Sequence, residues 1–187
     1  MIFCFRTMRT IDEQGYHFEE WFTPEEIAKD VKQVAKKISK DYQGKEPLFV
    51  VVLNGAFVFA SDLLRALDNV RCEVTFIRVS SYWRMSSTGK LEFIVPLQQV
   101  VENRDVIIVE DIVDTGLTIH QLKEHMRGLG ASSVRVASML FKPTKLEYPD
   151  AKPDYLGREI SEEFVIGYGL DFDGFVRNLD AIYKVKK

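Results

Sequence analysis

The chain has 187 residues, of which 46% are hydrophobic and 28% charged, and this composition is typical of one globular domain with room for a substantial core. Its formal net charge of −3 argues against nucleic-acid binding driven by bulk electrostatics and leaves open only a local basic patch. No stretch approaches the length of a membrane span, and Arg6 and Arg9 interrupt the apolar start too early for a signal peptide. The two cysteines, Cys4 and Cys72, form no metal-ligand cluster, and we expect both to be reduced thiols in a cytoplasmic protein.

The first clear element along the chain is a helix that begins after Thr23. Thr23 suits the N-cap, Pro24 suits the first helical position, and Glu26 completes a capping box. The residues that this helix would bury recur at helical spacing: Ile27, Val31, Val34 and Ile38. The pattern stops near residues 43–44, and residues 1–22 are expected to form a packed but irregular lead-in.

Two strands and a second helix follow. The apolar run 48–53 predicts a buried strand that ends at residues 54–55, a helix is predicted from about 56 to 67, and residues 72–80 predict the next strand. The segment 81–89 is polar and turn-rich but carries a tyrosine and a tryptophan. It is either a plain surface loop or a mobile lid over a site.

The most informative stretch is residues 106–118. Its apolar β-branched run predicts a buried strand of a parallel sheet that ends in two acids. Asp114 and a Thr-Gly turn come next, and then an amphipathic helix whose start is assigned to a capping box of Thr118 and Gln121. The buried stripe of this helix is expected to consist of Ile119, Leu122, Met126 and Leu129.

The two acids, Glu110 and Asp111, follow four buried apolar residues directly. Carboxylates in such a place lose hydration free energy unless a polar or cationic group meets them. The carboxyl end of a strand below a helix N-terminus is also where open α/β sheets bind ligands and where backbone N–H groups hold phosphate. The plain alternative is a βα connection without any ligand, since Asp-Thr-Gly strings are common.

The remaining chain predicts a strand at 133–141, a loop at 144–155 and a short strand at 164–167. Strands that alternate with helices favour an α/β fold with a mostly parallel central sheet flanked by helices. We expect a single domain over 1–187 with its core at about 23–143. The segments that break the alternation, about 1–22 and 144–187, are expected to form a small hood subdomain over the carboxyl edge of the sheet.

Residues 106–118 closely resemble the phosphoribosyl-diphosphate-binding motif of type I phosphoribosyltransferases. In that motif apolar residues precede two acids, two apolar residues, Asp, Thr or Ser, Gly, any residue and Thr, and every position is matched here. Residues 53–64 resemble the diphosphate-loop region of the hypoxanthine-guanine phosphoribosyltransferase family. Ser81 and Tyr82, with residues 87–89, resemble the closing loop of that family.

The C-terminal half is similar to the same purine branch. Lys142 after an apolar strand matches the purine-recognition lysine of that family, and residues 152–155 and 164–171 give the densest match, with Arg177 beyond. The resemblance covers nearly the whole chain from residue 18 onward.

This resemblance implies a purine-salvage enzyme. Its reaction would transfer the 5-phosphoribosyl group of 5-phosphoribosyl diphosphate to hypoxanthine or guanine, giving IMP or GMP and diphosphate. The resemblance also implies Mg²⁺ as cofactor and a homodimer or homotetramer. It implies 5-phosphoribosyl diphosphate and oxopurine bases as ligands, with neither nucleic acid nor membrane as a partner.

The site residues implied by the resemblance fall into groups. Asp114 would be the general base or acid at purine N7. The phosphoribosyl diphosphate would be bound by Asn54, Gly55, Glu110, Asp111, Asp114, Thr115, Gly116, Leu117, Thr118 and Arg177. The purine would be bound by Lys142, Phe164, Val165 and Asp171. Mg²⁺ would be held by Asp171, Glu110 and Asp111. The mobile closing loop would include Ser81 and Tyr82.

One position departs from the family, and two alternatives stay open. The family usually has Lys or Arg where this chain has Asn54, so any side-chain link from that position, including one to a neighbouring subunit, is in doubt. The first alternative is an enzyme that prefers xanthine. The second is a nucleotide-sensing RNA-binding regulator on the same fold. Asp114 and the pair of Lys142 and Phe164 argue against a regulator, because a sensor needs no proton carrier at N7.

Overall fold

The chain forms two β-sheets with flanking helices, and the computed structural model describes residues 9–79 and 93–186 of it. Its strands are β1 (Thr10–Glu13), β2 (Tyr16–Phe22), β3 (Leu48–Leu53), β4 (Glu73–Val79), β5 (Phe93–Val95), β6 (Asp105–Val113), β7 (Ser133–Phe141), β8 (Tyr155–Glu159), β9 (Val165–Ile166) and β10 (Ile182–Val185). Its α-helices are α1 (Pro24–Asp41), α2 (Phe57–Ala66) and α3 (Leu117–Gly128). No helix within the described ranges combines the length and the apolar character needed to cross a bilayer. The predicted closing loop with Ser81 and Tyr82 lies outside the described residues, as does Cys4.

The larger sheet has six strands in the order β5-β4-β3-β6-β7-β8, and every neighbouring pair is parallel except β4 and β5. Both of its faces are covered. From β3, Phe49 and Val51 point into the core shared with α1 and α2, while Leu48 and Val50 point into the core shared with α3. A strand buried on both faces is apolar at every position, which explains the unbroken run in the sequence. The predicted α/β class with a mostly parallel sheet is confirmed.

Helix α1 starts as its sequence predicts. The Thr23 hydroxyl accepts a hydrogen bond from the Glu26 N–H at 3.3 Å, and the Glu26 carboxylate accepts one from the Thr23 N–H at 3.0 Å. This reciprocal capping box satisfies two N–H groups that have no partner within the helix. The predicted stripe is buried: Ile27, Val31, Val34 and Ile38.

Helix α3 starts differently from the prediction. Its N-cap is Gly116, whose φ of 87° is left-handed and which has no side chain that could cap the helix. Thr118 therefore lies inside the first turn, so the predicted capping box of Thr118 and Gln121 is wrong. Leu129 is the C-cap and is 43% exposed, so it does not belong to the buried stripe.

The smaller sheet is antiparallel, in the order β1-β2-β10-β9, and it joins the two ends of the chain as the predicted hood does. Residues 10–22 of the lead-in are not irregular, because β1 and β2 form a hairpin whose turn residues Gln14 and Gly15 have φ of 48° and 82°. The inward residues of β2, among them Phe18, pack against the C-terminal part of the chain, and a local pattern cannot reveal such distant partners.

Strand β8 was not predicted, and it lies in the stretch 144–187 that is expected to belong to the hood. It extends the larger sheet by pairing in parallel with β7, and Arg158 on it donates to the Asp30 carboxylate of α1 at 2.7 Å. Its polar residues fit an edge strand, which has neighbours on one side only, and they hide the usual apolar signal.

The capping box gives a test of the fold. Replacing Thr23→Ala removes the side-chain acceptor at the start of α1, so we expect the free energy of unfolding to fall by about 1 kcal/mol. Gln33→Ala changes an exposed position in the middle of the same helix and should stay within about 0.5 kcal/mol of wild type. Denaturant unfolding of the three proteins measures both values, and equal losses in the two variants would contradict the capping role of Thr23.

Candidate active site

A cleft of about 300 Å³ opens where β3 and β6 end and the hood begins. The carboxyl ends of parallel strands are the usual place for ligands in such sheets. The polar and glycine residues that line this cleft are Gly55, Glu110, Asp111, Asp114, Thr115, Gly116, Thr118, Asp171 and Arg177. Most of the predicted phosphoribosyl-diphosphate residues therefore come together in one place.

The two adjacent acids lie within β6, because the strand continues through them to Val113 and does not end at them as predicted. Glu110 is paired in register with Ser138 of β7, which explains why the strand continues. Burial raises the pKa of the Glu110 carboxyl well above its usual range, and the neighbouring Asp111 charge adds to the shift. Burial likewise raises the pKa of Asp111. Both acids thus lie at the floor of the cleft, where burial disfavours their charged forms and a cation close by would stabilise them.

Two glycines allow three chain segments to meet above these acids. A Cβ atom at Gly55 would lie 1.5 Å from Oδ2 of Asp111, and a Cβ atom at Gly169 would lie 2.1 Å from the carbonyl oxygen of Gly55. Gly169 also has a φ of 99°, which side chains disfavour. Three segments meet here: the loop of the hood that contains Gly169, the turn after β3 that contains Gly55, and β6 at Asp111. They can approach this closely only because residues 55 and 169 are glycines.

The turn from Asp114 to Thr118 forms a second wall of the cleft. Gly116 allows its left-handed step, and the Thr115 hydroxyl accepts from the Leu117 N–H at 3.4 Å. The Thr115 carbonyl accepts from the N–H groups of Glu147 at 2.9 Å and Tyr148 at 3.3 Å. Because the first N–H groups of α3 have no partner within the helix and lie at the positive end of its dipole, this turn is suited to an anion such as phosphate.

Asp114 lies between two ammonium groups. Its Oδ2 is 3.7 Å from Nζ of Lys142 and 3.6 Å from Nζ of Lys145. Its Oδ1 is buried and accepts no hydrogen bond from any residue in the described ranges. A buried carboxylate oxygen without a donor is a costly arrangement that a ligand N–H would relieve.

On the hood side, Asp171 and Arg177 form an ion pair. The Arg177 guanidinium lies 2.8 Å from Oδ1 of Asp171 and donates to the carbonyl oxygen of Gly169 at 2.8 Å. Oδ2 of Asp171 accepts from the Gly174 N–H at 2.7 Å. Asp171 and Arg177 thus hold one another at the rim of the cleft opposite α3.

Four predicted residues do not line this cleft. Lys142 is beside it and is only 6% exposed, with its N–H bonded to the Val113 carbonyl. Asn54 is exposed, and Val165 is buried in β9. Phe164 is 47% exposed, with its ring 5.6 Å from that of Phe172 and 6.2 Å from that of Phe18.

Lys145 also contacts Asp114, although no sequence motif predicts it as a site residue. It lies at the end of a single 3₁₀ turn, Pro143–Lys145, that follows β7. The sequence signal was a second lysine three positions after Lys142, next to a proline that starts a turn, but this signal does not reveal the contact with Asp114. Among the described residues, no three His, Cys, Asp or Glu side chains lie close enough together to hold a metal ion by themselves.

The comparisons with known proteins all indicate the same family. Residues 19–173 match the phosphoribosyl transferase domain. The chain is 40% identical over 163 residues to the hypoxanthine-guanine phosphoribosyltransferase of Bacillus subtilis, covering 87% of this chain and 89% of that protein. It is 37% identical over 169 residues to the enzyme of the same name from Staphylococcus aureus strain Mu50, covering 90% and 93%. A crystal structure of a hypoxanthine-guanine phosphoribosyltransferase from Bacillus anthracis superposes with a TM-score of 0.84 at 34% identity, covering 95% of this chain and 100% of that one.

The buried acids give a pH-dependent test. Because the pKa of Glu110 is raised, the folded protein binds the proton of this carboxyl group more tightly than the unfolded chain does. Ionisation of Glu110 therefore lowers the stability of the fold at pH values above the pKa of an unfolded glutamate, about 4.3. Well below that pH the carboxyl group is protonated in both states and the loss disappears. In metal-free buffer, Glu110→Gln should therefore raise the free energy of unfolding by about 1–3 kcal/mol at pH 8, and the gain should shrink toward pH 4. Denaturant unfolding across this pH range measures the difference.

The exposed Glu102→Gln variant serves as the control and should show no such gain. A Glu110→Gln protein that is less stable than wild type at every pH would show that the carboxylate is satisfied by contacts within the fold.

Proposed function

The chain belongs to the phosphoribosyl transferase family, in its hypoxanthine-guanine branch, and on that premise we propose that it transfers the 5-phosphoribosyl group of 5-phosphoribosyl diphosphate to hypoxanthine or guanine. The products are IMP or GMP and diphosphate, so the reaction salvages purine bases. The observation that carries this proposal is Asp114 in the turn after β6, where one carboxylate oxygen has no partner among the described residues and the other lies 3.7 Å from Nζ of the buried Lys142. A proton acceptor beside a phosphate site and a base-binding ammonium is what the reaction needs.

The reaction replaces one bond at C1 of the ribose by another. The bond from C1 to the diphosphate oxygen breaks and diphosphate leaves with the electron pair, while purine N9 forms the new bond to C1. The proton on N7 passes to the carboxylate of Asp114, which leaves the purine neutral. Positive charge develops on the ribosyl group in the transition state, so the site stabilises it with placed negative charge and forms no covalent intermediate.

We assign the sugar and its 5′-phosphate to the turn after β6. The main-chain N–H groups from Asp114 to Thr118, with the hydroxyls of Thr115 and Thr118, bind the phosphate as an anion at a helix start. Gly116 and Leu117 contribute through the main chain. Glu110 and Asp111 bind the ribose hydroxyls or the metal, and their charge lies below the developing ribosyl cation.

The diphosphate is assigned to the opposite wall. Main-chain groups at Asn54 and Gly55 and the guanidinium of Arg177 bind it as it leaves. A main-chain contact does not depend on the side chain at Asn54, so the departure from the family pattern there is compatible with binding.

Mg²⁺ fits the donor set of this cleft. Its acids supply carboxylate oxygens, and the carboxyl groups of Glu110 and Asp111 have raised pKa values. A cation bound beside them would lower these pKa values again. Mg²⁺ keeps several waters and usually takes one or two carboxylates together with phosphate oxygens, so a closed protein cluster is not required. We propose Asp171, Glu110 and Asp111 as its direct or water-mediated ligands. When bound, the metal neutralises charge on the diphosphate.

The purine is assigned to the space between α3 and the hood. Lys142 donates to the oxygen at C6, Phe164 stacks on the ring through its exposed face, and main-chain groups at Val165 and Asp171 bind the base edge. We further propose that residues 81–89, including Ser81 and Tyr82, close over the reacting groups, because a ribosyl cation open to water would be hydrolysed. Assembly into a homodimer or homotetramer belongs to the same proposal.

A spectrophotometric assay tests the proposed function. Purified protein would be incubated with 5-phosphoribosyl diphosphate, Mg²⁺ and each of hypoxanthine, guanine, xanthine and adenine. We expect conversion of hypoxanthine and guanine that stops when Mg²⁺ is chelated. Xanthine as the best substrate would favour a xanthine enzyme, and no conversion of any base together with tight binding of RNA would favour a regulator.

Asp114→Asn tests the proton acceptor. Asparagine keeps the shape of the turn but cannot take the N7 proton, so we expect kcat to fall by roughly 10²-fold or more while the KM for 5-phosphoribosyl diphosphate changes little. Steady-state kinetics with hypoxanthine measure both quantities. Asp68→Asn, at an exposed position remote from the cleft, is the matched control. Unchanged turnover in Asp114→Asn would show that Asp114 shapes the turn but does not accept the proton.

Lys142→Ala tests base selectivity. The ammonium has three donors and no acceptor, so it pairs with the oxygen of a 6-oxopurine but meets a donor in the amino group of adenine. Wild type should prefer hypoxanthine over adenine by about 10⁴-fold in kcat/KM, and Lys142→Ala should lose much of its hypoxanthine activity and of this preference.

The exposed Lys32→Ala variant is the control for the loss of one lysine. Efficient use of adenine by wild type, or full hypoxanthine activity without Lys142, would exclude Lys142 as the selectivity determinant.

A further inference from the structure

We propose that Lys145 is a positioning residue that holds the Asp114 carboxylate by its Oδ2 atom while Lys142 serves the purine oxygen. The inference rests on the proposed function and adds to it a second lysine with a separate task.

The distances place both lysines on one atom of Asp114. Nζ of Lys142 lies 3.7 Å and Nζ of Lys145 lies 3.6 Å from the same Oδ2, while Oδ1 has no donor among the described residues. Two cations on one oxygen fix the rotation of the carboxylate group about its bond to the rest of the side chain. Proton transfer from N7 requires a carboxylate that is held in one orientation.

The main chain sets the position of Lys145 as firmly as that of Lys142. The Lys142 N–H donates to the Val113 carbonyl at 2.9 Å, and the N–H of Glu147 donates to the Thr115 carbonyl at 2.9 Å. The segment from 142 to 147 is therefore tied to the residues on both sides of Asp114. Between these two ties, the Lys145 N–H bonds to the Lys142 carbonyl at 3.2 Å and closes the turn. Lys145 is thus held across Asp114 by the backbone of two neighbouring segments.

The two lysines differ in burial in a way that separates their tasks. The side chain of Lys142 is 8% exposed and that of Lys145 is 38% exposed. An oxopurine that binds Lys142 draws that ammonium toward its own oxygen and away from Asp114. Lys145 has no such competitor in the proposed purine position, so it remains with the carboxylate throughout the reaction. Without Lys145, Asp114 and the purine would compete for Lys142 alone.

Three variants test this division. Lys145→Gln removes the charge, Lys145→Arg keeps it, and Lys152→Gln removes the same charge from an exposed lysine in the same connection. We expect kcat for hypoxanthine to fall by about tenfold in Lys145→Gln, less than in Asp114→Asn because the proton acceptor is still present. The KM for 5-phosphoribosyl diphosphate and the preference for hypoxanthine over adenine should stay near wild type. Lys145→Arg should restore most of the lost kcat, and Lys152→Gln should behave as wild type.

Each other outcome overturns the inference. A raised KM for 5-phosphoribosyl diphosphate with unchanged kcat would show that Lys145 binds the phosphoribosyl substrate. A lost preference for hypoxanthine would show that Lys145 contacts the base. Equal losses in Lys145→Gln and Lys145→Arg, with lowered thermal stability, would show a merely structural role. An active wild type with an unaffected Lys145→Gln overturns only this inference, whereas an inactive wild type overturns the proposed function with it.

Discussion

The burial of Glu110, with the half-buried Asp111 beside it near the carboxyl end of β6, is the constraint on which the rest of the site depends. Strand β6 lies in the middle of a sheet that helices cover on both faces, so its acids lose hydration and their pKa values rise. A protein keeps such an arrangement when a ligand or metal repays it, because the same positions filled by apolar residues would be more stable. The stability that these two acids cost is therefore evidence of function at this edge of the sheet.

The same constraint explains how the hood is joined to the larger sheet. The turn after β3 contacts Asp111 through Gly55, and Gly169 of the hood contacts Gly55 in turn. Next to this contact between Gly55 and Gly169, which we call the joint, the Tyr168 hydroxyl donates a hydrogen bond to the carboxylate of Asp62 in α2 at 2.8 Å. Diphosphate and base are assigned to the two sides of this joint, so a shift of the hood would move both binding surfaces relative to Asp114.

The sequence alone predicts the parts of the fold that local patterns determine. Helix α1, strand β3 and strand β7 appear as predicted, because a capping box and fully buried apolar runs are unambiguous signals. The hairpin of β1 and β2 could not be predicted, because its buried face meets residues from the other end of the chain. The start of α3 was misplaced, because a left-handed glycine cap leaves no side-chain signal.

The candidate site shows a similar division. The motif around Asp114 and the glycines beside it could be predicted, since their spacing within one segment is fixed. The contact of Lys145 with Asp114 could not be predicted, because it depends on how the turn after β7 folds back over the turn after β6. Contacts between two turns on neighbouring strands are set by sheet register, which the sequence does not state.

A crystal structure with GMP and Mg²⁺ bound tests the central claim most directly. The account predicts the 5′-phosphate on the main-chain N–H groups of residues 114–118, purine N7 within hydrogen-bond distance of Asp114, and the oxygen at C6 within reach of Lys142. A nucleotide bound at the opposite edge of the sheet, in the cleft lined by Lys45 and Arg71, would contradict it.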